Sequence, residues 1–300
     1  MRSRRYGFTL IELPIVLVII GLIVGGVLVG RDLIAAAATR AQISQIERYQ
    51  QAVNTFRGKY NYLPGDMPST TATSFGFSRG SSTGCDYPVN NCGNNDGLIG
   101  NFLSGDNSQT GEAHLFWLDL KQANLIADSS ITMAVFGAVE TNVGNWLPPA
   151  KLAAGMYVYV WYGGVLVDYL QDATLDGDAK NYLSVSGVSG FTGYMGNYSQ
   201  STVRVSDAYN IDKKEDDGKP QSGSVKAMYV TYLSGGSLKA LWSRGANRTV
   251  ELGNPPSLSA TAGSSTSCYD NNNVNGAEMA YSIGQSNGSG GNCALSFRLQ

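Results

Sequence analysis

Charge is scarce in this chain of 300 residues. Asp, Glu, Lys and Arg make up 15% of it, against roughly 25% in ordinary soluble domains. With 43% hydrophobic residues, the composition excludes a disordered acidic or basic tail protein. The formal net charge is −2, so the surplus of Lys and Arg that would neutralise a phosphate backbone is missing and nucleic acid is not an expected partner. Histidine occurs once, at His114, and cysteine four times, which rules out most His-rich metal centres and most His-based catalysis. No Walker A motif is present. What the chain has instead is glycine (37 residues) and tyrosine (17), among runs of Ser, Asn and Thr. That mixture suits a secreted, loop-rich β domain better than a cytosolic helical enzyme.

The start of the chain departs from this average. Residues 1–7 read MRSRRYG, with no acid, and the run from Phe8 to Gly30, FTLIELPIVLVIIGLIVGGVLVG, carries a single charge, Glu12. As a helix the run is roughly 35 Å long, enough for a bilayer core of about 30 Å. The basic flank places the N-terminal side in the cytoplasm by the positive-inside rule, and everything after Arg31 on the far side. A cleaved secretory signal with Ala35–Ala38 as its small-residue site is opposed by the length of the run, beyond the roughly 7–15 residues of a signal's apolar region, and by Glu12 within it. Arg4-Arg5 as a twin-arginine signal fails on the same lengths. A plain membrane anchor rests on hydropathy alone. A third reading takes the basic leader, the Gly before Phe, and the acid just inside the apolar run as one unit.

That unit, Gly7-Phe8-Thr9-Leu10-Ile11-Glu12-Leu13, resembles the processing motif of type IV pilins and type II secretion pseudopilins. The resemblance implies that a membrane-embedded prepilin peptidase cuts after Gly7 and N-methylates the new first residue, Phe8. It implies further partners: other pilin or pseudopilin subunits, more copies of this chain in a filament, and an inner-membrane assembly platform. Glu12 then has a reason to exist. A carboxylate at bilayer depth costs roughly 2.5–3.5 kcal/mol on insertion scales, so it needs a partner or a function. The family implies that Glu12 of an incoming subunit meets the terminal amine of a neighbour, a registry device because a wrong offset leaves both charges unpaired. Snorkelling of Glu12 to the headgroups is the alternative. Pro14 stands where the commonest family pattern has Leu, and is tolerable early in a helix. Gly21, Gly25, Gly26 and Gly30 each lower helix propensity by about 1 kcal/mol relative to Ala; they either let the helix stretch in a filament or let helices pack closely, and both readings stay open.

Beyond Arg31 the chain turns polar but keeps an apolar stripe. Ile46, Tyr49, Val53 and Phe56 are spaced three, four and three, one helical face. The stripe predicts packing against the chain's own globular part rather than an intersubunit seam. A helix from Phe8 to about Gly58 is about 75 Å long, a length that a filament core needs and a compact domain does not. Asn61-Tyr62-Leu63-Pro64-Gly65-Asp66 ends it and resembles the segment after the helix in many pseudopilin-like proteins. The chain thus divides into a leader at 1–7, a transmembrane half-helix at 8–30, an amphipathic half at 31–60 and an extracytoplasmic head at 61–300. In the head, a helix is expected from Thr110 to Ile126 and another at 165–173. Strands are expected at 131–136, 156–162, 202–206, 225–233, 248–252, 278–283 and 294–299. The fold class is α+β and pilin-like: a long N-terminal helix packed on an antiparallel β-sheet, with large loop insertions.

All four cysteines, Cys85, Cys92, Cys268 and Cys293, come after the apolar run, in a compartment that permits disulfides, and four allow three connectivities. Pairing sequence neighbours gives Cys85–Cys92 and Cys268–Cys293. The second pair resembles the C-terminal disulfide loop of many type IV pilins. Zinc is disfavoured, because no C-x-x-C spacing exists and His114 is far from both pairs in sequence.

Other chemistry is thin. Gly80-Ser-Ser82-Thr-Gly84 matches G-x-S-x-G but sits in a Ser/Gly-rich loop, not between a strand and a helix. Gly187, Gly190, Gly193 and Gly196 recur every three residues without Pro, which is not collagen-like and predicts a surface loop. Asp212, Asp216 and Asp217 gather hard oxygen ligands that make them candidates for a structural Ca²⁺, against a solvated turn whose charge Lys213, Lys214 and Lys219 offset. No other cofactor is expected. The expected function is that of a non-enzymatic, pilin-like structural subunit, single-pass in a bacterial inner membrane with its head outside the cytoplasm before it joins a pilus or pseudopilus. Within that class a type II secretion pseudopilin and a minor or tip pilin of a type IV pilus both fit. The rival class, a membrane-tethered secreted enzyme, is opposed by the missing catalytic sets.

Overall fold

Forty-nine residues from Glu12 to Tyr60 form one helix, α1, about 73 Å long at the standard rise. The computed structural model describes residues 12–79, 93–100, 111–127, 131, 139–140, 142–163, 180–192, 196–233, 237–243, 267–271, 274, 277–284 and 286–299. The two halves of α1 meet different surroundings. Every Leu, Ile and Val from Leu13 to Ile34 is exposed. From Thr39 onward a face is buried that carries Gln42, Gln45, Ile46, Tyr49, Ala52, Val53 and Phe56, the three-and-four spacing of a helix against a core. The expected stripe lies wholly on this face. Tyr49 meets Trp117 edge to face with ring centroids 4.9 Å apart, and Phe56 packs on Phe77 at 5.7 Å.

Two amides on the same face anchor a loop. Gln42 Oε1 accepts the Lys151 amide at 2.7 Å, and Gln45 Nε2 donates to the Pro149 carbonyl at 2.9 Å. They stitch residues 149–151 to the helix near the point where it leaves the head. At the other end, Asn61 takes φ +62° and its amide donates to the Arg57 carbonyl at 2.8 Å, a left-handed helix stop. Gly65 comes next at φ +83°, so close to the adjacent layer that a Cβ there would lie 2.3 Å from the Glu112 carbonyl oxygen. Only glycine fits both its dihedral and its space.

After a short helix α2, Ser69–Ser74, comes α3, Glu112–Gln122. The strands are β1 (Val139–Glu140), β2 (Met156–Gly163), β3 (Lys180–Thr192) and β4 (Gly196–Gln200). A fourth helix α4 (Val205–Glu215) precedes β5 (Val225–Lys226), β6 (Met228–Leu233), β7 (Ser237–Trp242), β8 (Tyr269–Asp270), β9 (Ala280–Tyr281) and β10 (Leu295–Arg298). β3 is the spine. β2 pairs with it from Met156↔Gly187 to Gly163↔Lys180, and β10 from Leu295↔Val185 to Arg298↔Tyr182, all antiparallel. β5 flanks β10, while β1 and β4 pair with the far end of β3. Directly opposed residues share a face, so Val158, Val160, Leu183, Val185, Leu295 and Phe297 form an apolar side that joins α1 and α3 in one core. The opposite side carries hydroxyls. Trp161 Nε1 donates to Ser184 Oγ at 2.6 Å, Ser184 bonds Ser296, and Ser296 Oγ donates to the Met228 carbonyl at 2.7 Å. The β6–β7 hairpin therefore lies over this face and satisfies it.

A long N-terminal apolar helix packed on an antiparallel sheet with loop insertions is the observed architecture, and β2, β5, β6 and β10 coincide with expected strands. Other expectations need correction. The glycine series is not a surface loop: Gly187 and Gly190 lie within β3 and Gly196 opens β4, while Gly193 lies outside the described residues. Glycine is needed at 187 because a Cβ there would sit 2.8 Å from Thr202 side-chain atoms. The strand expected at 202–206 reduces to a single bridge, Val203 with Cys293, because Val205, Ala208 and Ile211 form the buried side of α4. Of 278–283, only Ala280–Tyr281 is strand. α3 is shorter than expected, with Gly111 rather than Thr110 at its N-cap. The elements expected at 165–173 and 248–252 lie outside the described residues, as do 132–136, Cys85, Cys92 and the G-x-S-x-G segment.

Cys268 and Cys293 form a disulfide across 25 residues, tying the start of β8 to the segment before β10. Closing a loop of that size restricts the unfolded chain by about 3 kcal/mol. We expect the double variant Cys268→Ala, Cys293→Ala to lose that much stability, read as a lower urea midpoint, with a steeper slope because the unlinked unfolded chain exposes more surface.

Candidate functional site

The first candidate is the uncovered half of α1. Its most apolar window has a mean hydropathy of 2.8 and none of it is buried among the described residues. The helix is long and apolar enough to cross a membrane, a test that a signal segment also passes. An apolar surface this continuous is not stable against water and demands lipid or other helices. Gly21, Gly25, Gly26 and Gly30 have open space where a Cβ would stand. They fall as two Gly-x-x-x-Gly pairs, a spacing that lets a second helix approach the backbone. Glu12 is exposed at the first described turn of α1, where a carboxylate suits the helix dipole. Gly7 and Phe8 lie outside the described residues.

A second cluster was not anticipated from the sequence. Glu112 opens α3 and is fully buried. Its Oε1 accepts the amides of Gly93 at 3.0 Å and Asn94 at 3.4 Å, and its Oε2 that of Gly100 at 2.7 Å. Asp66, just past the end of α1, accepts the amides of Asn95 at 2.6 Å and Gly97 at 2.9 Å. Two carboxylates from different elements thus hold the 93–100 loop by its backbone. Two turns along α3, Asp119 pairs with Arg79, both buried, and accepts the Gly65 amide at 2.8 Å. Burial raises all three acids and outweighs the donors that pull them down. Glu112 is pushed up to about 8, Asp66 to about 6, and Asp119 is raised despite Arg79. His114, also on α3, is buried with its ring 4.4 Å from that of Trp146.

The third cluster is Asp212, Asp216 and Asp217, which offer one oxygen each within 4.8 Å of one another. Asp212 is not in a solvated turn. It lies in the last turn of α4 and is fully buried, and burial pushes it up to about 7. The three acids accept bonds from the chain itself. Asp212 takes Gly218 N at 3.0 Å and Tyr281 Oη at 2.6 Å, Asp216 takes the Ser224 and Val225 amides, and Asp217 takes Lys219 N at 2.9 Å and Ser222 Oγ at 2.7 Å. Of the three lysines expected to offset them, Lys219 instead pairs with Glu278 at 2.6 Å.

Known families bear on the first candidate. Residues 2–28 match the family of the prokaryotic N-terminal methylation motif, so the motif characteristic of prepilins and pseudopilins is present. That family is one of processed, non-catalytic subunits. No curated protein and no solved structure matches the chain.

The raised carboxylates make a pH prediction. Over the window from about 4 to 8, native Glu112, Asp66 and Asp212 hold protons that the unfolded chain has released. Stability therefore falls as pH rises across that window, the reverse of ordinary acid denaturation. We expect the Tm of the chain in detergent to drop between about pH 5 and 8, and Glu112→Gln to flatten the slope while lowering Tm at the acid end, since its amide nitrogen cannot accept the loop donors. A Tm that climbs with pH in the parent chain contradicts this.

Proposed function

We propose that the chain is a structural subunit of a pilin or pseudopilin filament, made as a precursor and processed at its N-terminus. The observation that carries this reading is the methylation motif running straight into a helix whose first half is covered by none of the described residues. In this reading prepilin peptidase cuts between Gly7 and Phe8 and methylates Phe8. The α1 segment up to Gly30 lies in the inner membrane, and later among neighbouring helices. The head stands outside the cytoplasm. Glu12 supplies axial register: at an apolar depth, the one offset that brings it to a neighbour's terminal amine is the one that leaves no charge unpaired. The assembly platform and the other subunits are the partners this requires. The mass of the mature N-terminus, from cells expressing prepilin peptidase, decides the matter. Methylated Phe8 is the expected first residue; a chain still beginning at Met1 sinks the reading. Glu12→Gln is expected to be cleaved normally and yet to yield no filaments in sheared fractions.

Calcium is the cation that three hard oxygens at this spacing suit. We infer, however, that Asp212, Asp216 and Asp217 serve the fold: five of their six oxygens accept amide or hydroxyl donors, and these close the turn after α4 onto β5 and β9. Millimolar calcium is then expected to leave Tm unchanged. A rise of several degrees, abolished by Asp217→Asn, would instead make the cluster a cation site.

A further inference from the structure

A cleft of about 270 Å³ opens at the end of α1 remote from the apolar half. Arg57 lies 45 residues after Glu12, so the cleft stands about 68 Å from the start of the helix. Its apolar wall is Leu63, Ile99 and Phe116, and its charged rim is Arg57 and Lys180. We propose that this cleft binds a compact, polar carboxylate.

Several polar residues that shape the cleft are already engaged. Both oxygens of Asp66 take loop amides. Asn181 accepts the Ile99 amide through Oδ1 and donates Nδ2 to the Gly97 carbonyl, each at 2.8 Å. The 93–99 wall is therefore fixed from two sides, a preformed rather than a collapsible hollow. Gly97 has open space where a Cβ would stand, so the hollow is not filled from that wall. By contrast, the Arg57 guanidinium, the Asn61 side-chain amide and the Tyr62 hydroxyl have no partner among the described residues and line the same space. A guanidinium presents a planar fork that matches a carboxylate with two parallel bonds. The amide and the phenol are suited to hydroxyl or amide groups beside it. The Arg57 guanidinium faces one carboxylate in the lining, Asp66, and that carboxylate is turned to the loop amides, so the rim favours an anion. The volume admits roughly a dozen non-hydrogen atoms, one sugar acid or one acidic side chain with its peptide groups. Binding of this kind does not require the filament.

The test titrates the full chain in detergent, at low ionic strength, with D-glucuronate, N-acetyl-aspartate amide, and D-glucose as the uncharged control, measured by calorimetry. We expect a dissociation constant below about 1 mM for at least one of the two acids, none measurable for glucose, and a weakening as salt is raised. Glucuronate alone marks a sugar acid as the source, acetyl-aspartate amide alone a peptide side chain, and both the carboxylate itself. Arg57→Gln, on an exposed helical position, is expected to weaken binding at least tenfold. Asn61→Asp keeps a residue that tolerates the positive φ and places a negative charge at the rim, and is expected to abolish binding with an unchanged Tm. Failure of both acids to bind, glucose binding as tightly, or binding untouched by the two variants overturns the proposal.

Discussion

One helix has to satisfy two media, and the rest of the molecule is arranged around that. From Thr39 on, the head supplies the apolar surroundings that Ile46, Tyr49, Val53 and Phe56 need. Before that point nothing in the described chain does. Fully burying one Leu, Ile or Val contributes about 1.5–3 kcal/mol, so leaving every such residue from Leu13 to Ile34 in water would cost tens of kcal/mol. The medium must come from outside the described residues, as lipid or as other helices. Helix association within lipid gains little from the hydrophobic effect, so contact geometry and the placement of the few polar groups decide the packing. The bare backbone strips at Gly21–Gly25 and Gly26–Gly30 and the carboxylate of Glu12 are what this segment has to specify it.

Inside the head a different constraint operates. Charged residues are few, and several of the acids are buried: Asp66, Glu112, Asp119 and Asp212. Each is surrounded by backbone amides or hydroxyls, and Asp119 also by Arg79. A buried acid is a poor source of net stability, yet it is a strong constraint on the groups that satisfy it, because releasing one leaves a carboxylate unpaired in an apolar medium. That is how a glycine- and asparagine-rich chain obtains defined loops without long elements. Gly93, Asn94, Asn95, Gly97 and Gly100 have little side chain with which to specify a conformation, and two carboxylates specify it for them through five amides.

The long helix was legible because its signal is strong: a sustained apolar run, then a stripe at three- and four-residue spacing, then Asn, Pro and Gly together. β2 and β6 were legible because Tyr, Val and Trp crowd into them. β3 was not, although it is the spine of the sheet. Its alternate residues are Ser184, Ser186 and Val188 on one face and Leu183, Val185 and Gly187 on the other, so neither face reads as continuously apolar, and its glycines resemble punctuation. Its buried serines find partners on β2 and β10, Ser184 with Trp161 and Ser296 and Ser186 with Tyr159, and partners from other strands leave no mark on the local pattern. α4 was hidden for a related reason. Arg204 and Asp207 form an ion pair at its start, and Asp212 is buried on its inner face, so its inward stripe includes acids that a periodicity reading assigns to solvent. The carboxylate clasp was missed because Glu112 fits the local rule of an acid in a first helical turn, which explains its position and conceals its burial.

The low charge of the chain also bears on how copies can meet. At physiological salt, charges interact over about 8 Å, a distance that side-by-side heads in a filament fall within. A strongly charged head would repel its own copies along the whole length of such an assembly, since every subunit carries the same surface. The head at 61–300 carries 13 Lys and Arg against 20 Asp and Glu, and turning several of those acids inward lowers the charge that neighbouring copies present to one another. The same scarcity of charge explains why the remaining exposed cations matter. On α1 beyond the apolar half, Arg40, Arg48 and Arg57 face solvent rather than the head. Asp66, which lines the cleft beside Arg57, is turned to the loop amides instead, which leaves that guanidinium with more to gain from an anionic contact.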